Sequence, residues 1–138
     1  MCNSDMSGRA DCDSINTVRN RVETIEKQDG GTDLWSGLAY VTDSVCPMLR
    51  EDSHKTLITI TDGSPSDEEN VRALAEARAE FNQMLAVGVG EDLNENVLRK
   101  LTSSVEPIHV TDFSALDEIV EEMKELLCAD VQKLLRSE

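Results

Sequence analysis

The sequence predicts an α/β fold: an open, mostly parallel sheet with helices on both faces and about three strands. Strand-like runs alternate with helical repeats along the chain, which is typical of βαβ units. The run at residues 56–60 is short, β-branched and bounded by turn residues, as expected for a buried strand. The other two strands are predicted at 84–90, which ends in glycines, and at 108–110, just after Pro107.

Apolar residues at helical spacing predict the helices around this sheet. A helix at 15–25 is expected to be capped by Asp13 or Ser14, and a second one begins near Thr32 or Asp33. Ser66 and Glu69 form a capping-box pattern, so the third helix is expected to start there. The remaining predicted ranges are 94–101 and 114–127, the last with a repeat that continues to residue 135.

Composition narrows the class of protein. The chain has 138 residues, of which 39% are hydrophobic, so it is long enough for one globular domain. Only four residues are aromatic, so Leu, Ile, Val and Ala are expected to build the core. The formal net charge is −15, which excludes nucleic-acid binding because that affinity comes largely from cationic contacts to phosphate. No signal peptide is expected at the start, and no apolar stretch predicts membrane insertion.

An enzyme is not expected. The chain has neither a Gly-x-Ser-x-Gly elbow nor a Walker lysine loop. The segment around Asp62 resembles that of an aspartyl phosphatase, but such chemistry needs a second carboxylate where Ile60 stands. The four cysteines have no C-x-x-C spacing, which argues against a zinc knuckle or a redox motif. The sequence is compatible with two disulfide bridges and with four thiols. The cysteines therefore do not decide between an oxidising and a reducing compartment.

Parallel sheets bind ligands at the carboxyl ends of their strands, where the loops at 61–64 and 88–90 are expected to lie. Two oxygen donors, each on a loop at the end of a predicted element, mark a candidate site. The Thr32 hydroxyl and the Asp62 carboxylate each lie beside glycines, and such oxygens suit Mg²⁺ or Mn²⁺. Two protein ligands alone would bind an ion weakly. On local spacing alone, the alternative is stronger: Thr32 caps a helix and Asp62 closes a turn.

Three segments in order resemble the von Willebrand factor type A domain: GGT at 30–32, TDG at 61–63 and AVGVG at 86–90. The resemblance implies a doubly wound, Rossmann-like fold. It also implies a metal-ion-dependent adhesion site, where a bound ion captures an acidic residue of a protein partner. By this resemblance, Thr32 and Asp62 would be metal ligands.

The sequence departs from the family at the Asp-x-Ser-x-Ser motif, which supplies most direct contacts to the ion. Asp5 and Ser7 imitate it only weakly, with Arg9 at the last position, and chance is the stronger interpretation. The N-terminal part of the fold is therefore expected to be absent. The predicted organisation is an irregular leader at 1–13, a partial, truncated type A domain at 14–128 and a C-terminal helical extension at 129–138.

The resemblance implies an adhesion or extracellular-matrix-type protein-binding module whose metal site is degenerate or incomplete, with Mg²⁺ or Mn²⁺ weakly bound or absent. The alternative is an intracellular, metal-independent scaffold of the same fold. Ser64 and Trp35 are candidate partner contacts, with core packing an equal alternative for Trp35. A secreted location and a bridge from Cys128 to Cys2 or Cys12 are likewise implied by the resemblance alone.

The strand at 56–60 is expected to form an open sheet edge. In the family's strand order its neighbour is the first strand, which this chain is predicted to lack. An edge with unpaired amides and carbonyls favours pairing with another chain. The sequence therefore also predicts self-association through this edge.

Overall fold

The computed structural model describes residues 14–27, 29–103 and 105–136, without the side chains at 130, 131 and 133–135. The chain divides into two compact units between Gly30 and Gly31. In the first unit, helix α1 (Ile15–Glu23) is capped by Ser14, whose side-chain oxygen accepts the Thr17 N–H at 3.2 Å. This cap is one of the two that the sequence predicted.

The second unit contains a parallel sheet of three strands, as predicted, and the structure gives their order as β1-β2-β3. In the β1–β2 register, Thr56 lies opposite Gln83 and Thr61 opposite Gly88. The strands are β1 (Thr56–Thr61), β2 (Gln83–Val89) and β3 (Ile108–Val110). The helices are α2 (Leu34–Tyr40), α3 (Val71–Glu80), α4 (Glu95–Lys100) and α5 (Val120–Arg136).

The central strand β2 separates two apolar clusters, because its side chains alternate between the faces of the sheet. On one face, Met84 and Ala86 pack in a cluster with residues of α2, α3 and α4. On the other, Val87 and Val89 pack with Ile119, which precedes α5. Helices therefore cover both faces, which confirms the predicted fold class.

Two helix starts differ from the prediction. Helix α3 begins after Asn70, whose side-chain oxygen accepts the Ala73 N–H at 3.0 Å, so the capping box at Ser66 is wrong. The last helix is preceded by a 3₁₀ segment, Phe113–Ile119, capped by Asp112. The second predicted helix continues from α2 through a π-helical stretch, Val41–Val45, and a 3₁₀ turn, Cys46–Met48.

The outer edge of β1 is open within the described residues, where β1 pairs with β2 alone. The register places Ile58 opposite Leu85 and Ile60 opposite Val87, so both isoleucines lie on the face that carries α5. They are nevertheless 38% and 51% exposed, respectively. The described helices include none long and apolar enough to cross a membrane.

Candidate functional site

The two predicted metal ligands lie on neighbouring loops. Thr32 stands just before α2, and Asp62 directly follows the carboxyl end of β1. A Cβ atom placed on Gly63 would lie 3.6 Å from the Thr32 hydroxyl oxygen, so these loops are in contact. Asp62 is exposed and Thr32 is half-buried. The structure thus brings together the two loops whose oxygen donors the family resemblance assigned to one metal site.

Ser66, on the loop that follows β1, connects this loop to the one before α2. Its N–H donates to the Thr32 carbonyl oxygen at 2.9 Å, and its hydroxyl donates to Asp33 Oδ1 at 3.4 Å. A Cβ atom on Gly31 would overlap the Ser66 hydroxyl, so the close approach needs a residue without a side chain at position 31. Because Ser66 is bound to the loop before α2, it does not cap α3.

Asp67 is the residue of this region that the sequence analysis missed. Its Oδ2 accepts the Ser36 N–H at 2.7 Å, across 31 positions of sequence. Asp33, the residue before α2, makes no side-chain capping bond, so Asp67 supplies the anion at this helix start. The other carboxylate oxygen, Oδ1, is buried and has no hydrogen-bond partner among the described residues. The only sequence signal was an acid shortly after Asp62-Gly63, because the absence of a side-chain cap at Asp33 shows only in the structure.

The pKa of Asp67 is lowered by this contact. Partial desolvation acts to raise the pKa of the carboxyl group, but the backbone N–H groups of Ser36 and Trp35 favour the ionised form and outweigh it. The carboxylate therefore binds these amides most strongly when it is charged. This links protonation of Asp67 to the loop that carries the candidate site.

Folding stability is expected to decrease in acid because of Asp67. A lowered folded-state pKa gives stability that is complete above the unfolded value of about 3.9 and is lost as the pH falls through the folded value. Asp67→Asn should flatten this acid dependence in urea unfolding measured at neutral pH and near pH 3. Asp52→Asn, at an exposed position before β1, is the control. An unchanged acid dependence in Asp67→Asn would contradict the assignment.

The two predicted partner contacts have different environments. Trp35 is only 3% exposed and belongs to the core cluster with Leu38 and Met84. This position matches the packing alternative and leaves little indole surface for a partner. Ser64 is exposed on the loop after β1, where a partner can reach it.

Of the residues in the predicted disulfide, the structure describes Cys128 alone, and it describes neither of the two weaker ligand candidates, Asp5 and Ser7. Cys128 is exposed on α5 and Cys46 is buried, and neither forms a disulfide with another described residue. Burial is the main cause that raises the pKa of the Cys46 thiol. Cys2 and Cys12 lie outside the described residues, as do Asp5 and Ser7. The pairing of Cys128 with Cys2 or Cys12 therefore stays a prediction, and so do Asp5 and Ser7 as ligands.

The donor set tests whether a metal ion fits the site. Thr32 and Asp62 present hard oxygens of the kind that Mg²⁺ and Mn²⁺ prefer. Within the described residues, however, no group of three His, Cys, Asp or Glu side chains could hold a metal ion. Thr32 and Asp62 as ligands of a divalent ion therefore stay a prediction.

Comparison with known proteins gives the family. Residues 7–122 match the von Willebrand factor type A domain. The collagen alpha-1(XXI) chain of Xenopus laevis is 30% identical over 122 residues, which cover 86% of this chain and 12% of that protein. Among solved structures, proximal thread matrix protein 1 from the mussel byssus is similar with a TM-score of 0.74 and 19% identity, over 82% of this chain and 30% of that one. A second structure of that protein, described as having a zinc-occupied MIDAS motif, matches equally well.

The chain spans under a third of each of these relatives. The mussel structures are alike in fold alone, whereas the family match covers most of the chain and agrees with the three segments at 30–32, 61–63 and 86–90. This chain belongs to the von Willebrand factor type A domain family.

Proposed function

We propose that this chain is a protein-binding module of the adhesion or extracellular-matrix type, and that it contacts its partner at the carboxyl edge of the sheet. The observation that carries the proposal is the family match over residues 7–122, supported by the similarity to a collagen chain. Within that fold, the contacting loops of Thr32 and Asp62 form the candidate contact surface. A location outside the cell belongs to the same proposal.

The electrostatics favour a metal ion as part of such a contact. With 28 acidic and 13 basic residues, the chain repels an acidic partner unless a positive charge intervenes. A divalent ion would supply that charge and accept a carboxylate oxygen from the partner. Thr32 and Asp62 would hold the ion. Ser66 and Asp67 keep the two loops in place through their bonds to Thr32 and Ser36.

We further propose that the metal site of this chain is incomplete. Titration with Mg²⁺ or Mn²⁺ in a calorimeter should show weak binding, because two protein ligands hold an ion poorly. Asp62→Asn should weaken it further by removing a charged ligand, whereas Asp52→Asn, at the other end of β1, should leave it unchanged. Low-micromolar affinity of the unmodified chain for Mg²⁺ would show instead that the site is complete.

The function itself is tested by partner binding. Surface plasmon resonance against a panel of purified matrix proteins should show binding in Mg²⁺ that a chelator weakens and Asp62→Asn reduces. Binding that survives both changes would support the metal-independent scaffold instead. Absence of binding to any matrix protein under either condition would contradict the proposed function.

A further inference from the structure

Among the described residues, the outer edge of β1 is apolar as well as unpaired. Ile58 and Ile60 are exposed at this edge although the rest of the same sheet face is covered by α5 and the segment before it. A groove of 340 Å³ runs along the edge, and its lining includes both isoleucines together with Leu34 and Leu38 of α2. Apolar surface and unpaired backbone groups therefore coincide on one strand, which is the combination that promotes strand pairing.

We propose that two copies of this chain pair through β1, edge to edge and antiparallel, with a two-fold axis at Thr59. The occupant of the edge is thus a second copy of the same strand. The two sheets then form one continuous six-stranded sheet. The pairing of backbone groups and isoleucines needs no metal ion, so it does not depend on the proposed metal-dependent function.

The position of the axis follows from the side-chain pattern. Residues directly opposite one another in an antiparallel pair point to the same face of the sheet. An axis at Thr59 places Ile58 of each copy opposite Ile60 of the other, so all four isoleucines share one face. An axis at Ile60 would instead place Ile58 opposite Asp62, and an axis at Ile58 would place Ile60 opposite Thr56. The axis at Thr59 alone pairs each exposed isoleucine with another isoleucine.

Charge also favours a second copy as the occupant. The strand Thr56–Thr61 has no charged residue, but Lys55 precedes it and Asp62 follows it. Antiparallel pairing brings the Lys55 end of each strand to the Asp62 end of the other. The charges at the edge are therefore complementary between two identical copies, in spite of the net charge of −15.

Sedimentation equilibrium of the whole chain tests the association. The unmodified chain is expected to form a dimer, and Ile60→Lys should raise the dimer dissociation constant about tenfold or more, because both cross-strand isoleucine pairs are lost. Val71→Lys, which changes an exposed aliphatic residue on α3, should have no such effect. A monomer at every soluble concentration, or an equal effect of Val71→Lys, would overturn the proposal.

A cross-linking experiment tests the register. In a background with Cys2, Cys12 and Cys128 replaced by Ser, Thr59→Cys should form an intermolecular disulfide on mild oxidation, since the two copies of residue 59 face each other at the axis. The control is Thr56→Cys, whose two copies would be about 20 Å apart and should not link. Equal linking of both variants, or none in Thr59→Cys, would overturn the register. A chelator should change neither the dimer dissociation constant nor the extent of cross-linking. Failure of the proposed metal site would therefore not contradict the proposed dimer.

Discussion

Replacing Trp35 with Ala is expected to lower the free energy of unfolding by about 3–5 kcal/mol. The indole is 3% exposed and packs among the side chains between α2 and the sheet, so truncation leaves a large cavity. Total stabilities are commonly about 5–15 kcal/mol, so this single change can leave a large fraction of the chain unfolded. Urea unfolding followed by circular dichroism would measure the loss.

Tyr40 provides the matched control, because it is an aromatic residue on the same helix and is 66% exposed. Tyr40→Ala should change the unfolding free energy by about 0.5 kcal/mol or less. If Trp35 were instead a contact for a partner, Trp35→Ala would weaken partner binding and leave stability unchanged. That result would contradict the core position of the indole.

Replacing Met84 with Ala should cost about 2–5 kcal/mol. Met84 is 0% exposed and lies in the central strand β2, where it packs in the cluster between the sheet and helices α2 to α4. The surroundings of a central strand cannot collapse easily into the space, so the cavity term should be large. The measurement is the urea midpoint, with the slope of the transition checked for a constant value.

Met48→Ala is the control for this change, since the same atoms are removed from an exposed side chain in the 3₁₀ turn after α2. Its effect on the unfolding free energy should be about 0.5 kcal/mol or less. Equal losses in the two variants would mean that the effect arises from side-chain chemistry and not from burial in the core.

The strands were predictable because their signal is local. The β-branched run and the glycine-ended run placed β1 and β2 within one residue of their observed bounds, and β3 at 108–110 agrees fully. The helix starts were less predictable. A capping box assumes that Ser66 serves its own helix, but Ser66 binds Thr32 and Asp33 more than thirty positions earlier.

The candidate site, like the fold, was predictable from the sequence only in part. The rule that parallel sheets bind ligands at the carboxyl ends of their strands placed only the loop of Asp62. The closeness of Thr32 to that loop was implied by the family resemblance, and the short distance between Thr32 and position 63 agrees with it. The role of Asp67 did not follow, because it depends on the Ser36 N–H, a partner on a different element. Such a contact depends on how the elements pack, which spacing along the chain does not encode.

The hydrogen bond between Asp67 and Ser36 has a thermodynamic consequence. It joins the loop after β1 to a backbone position adjacent to Trp35, so the surface loop and the buried indole are parts of one cooperative unit. A ligand that immobilises this loop binds the folded chain and not the unfolded one, and by linkage it raises the unfolding free energy. Reciprocally, a substitution around Trp35 that populates the unfolded state would lower the apparent affinity for such a ligand in proportion to the folded fraction that is lost.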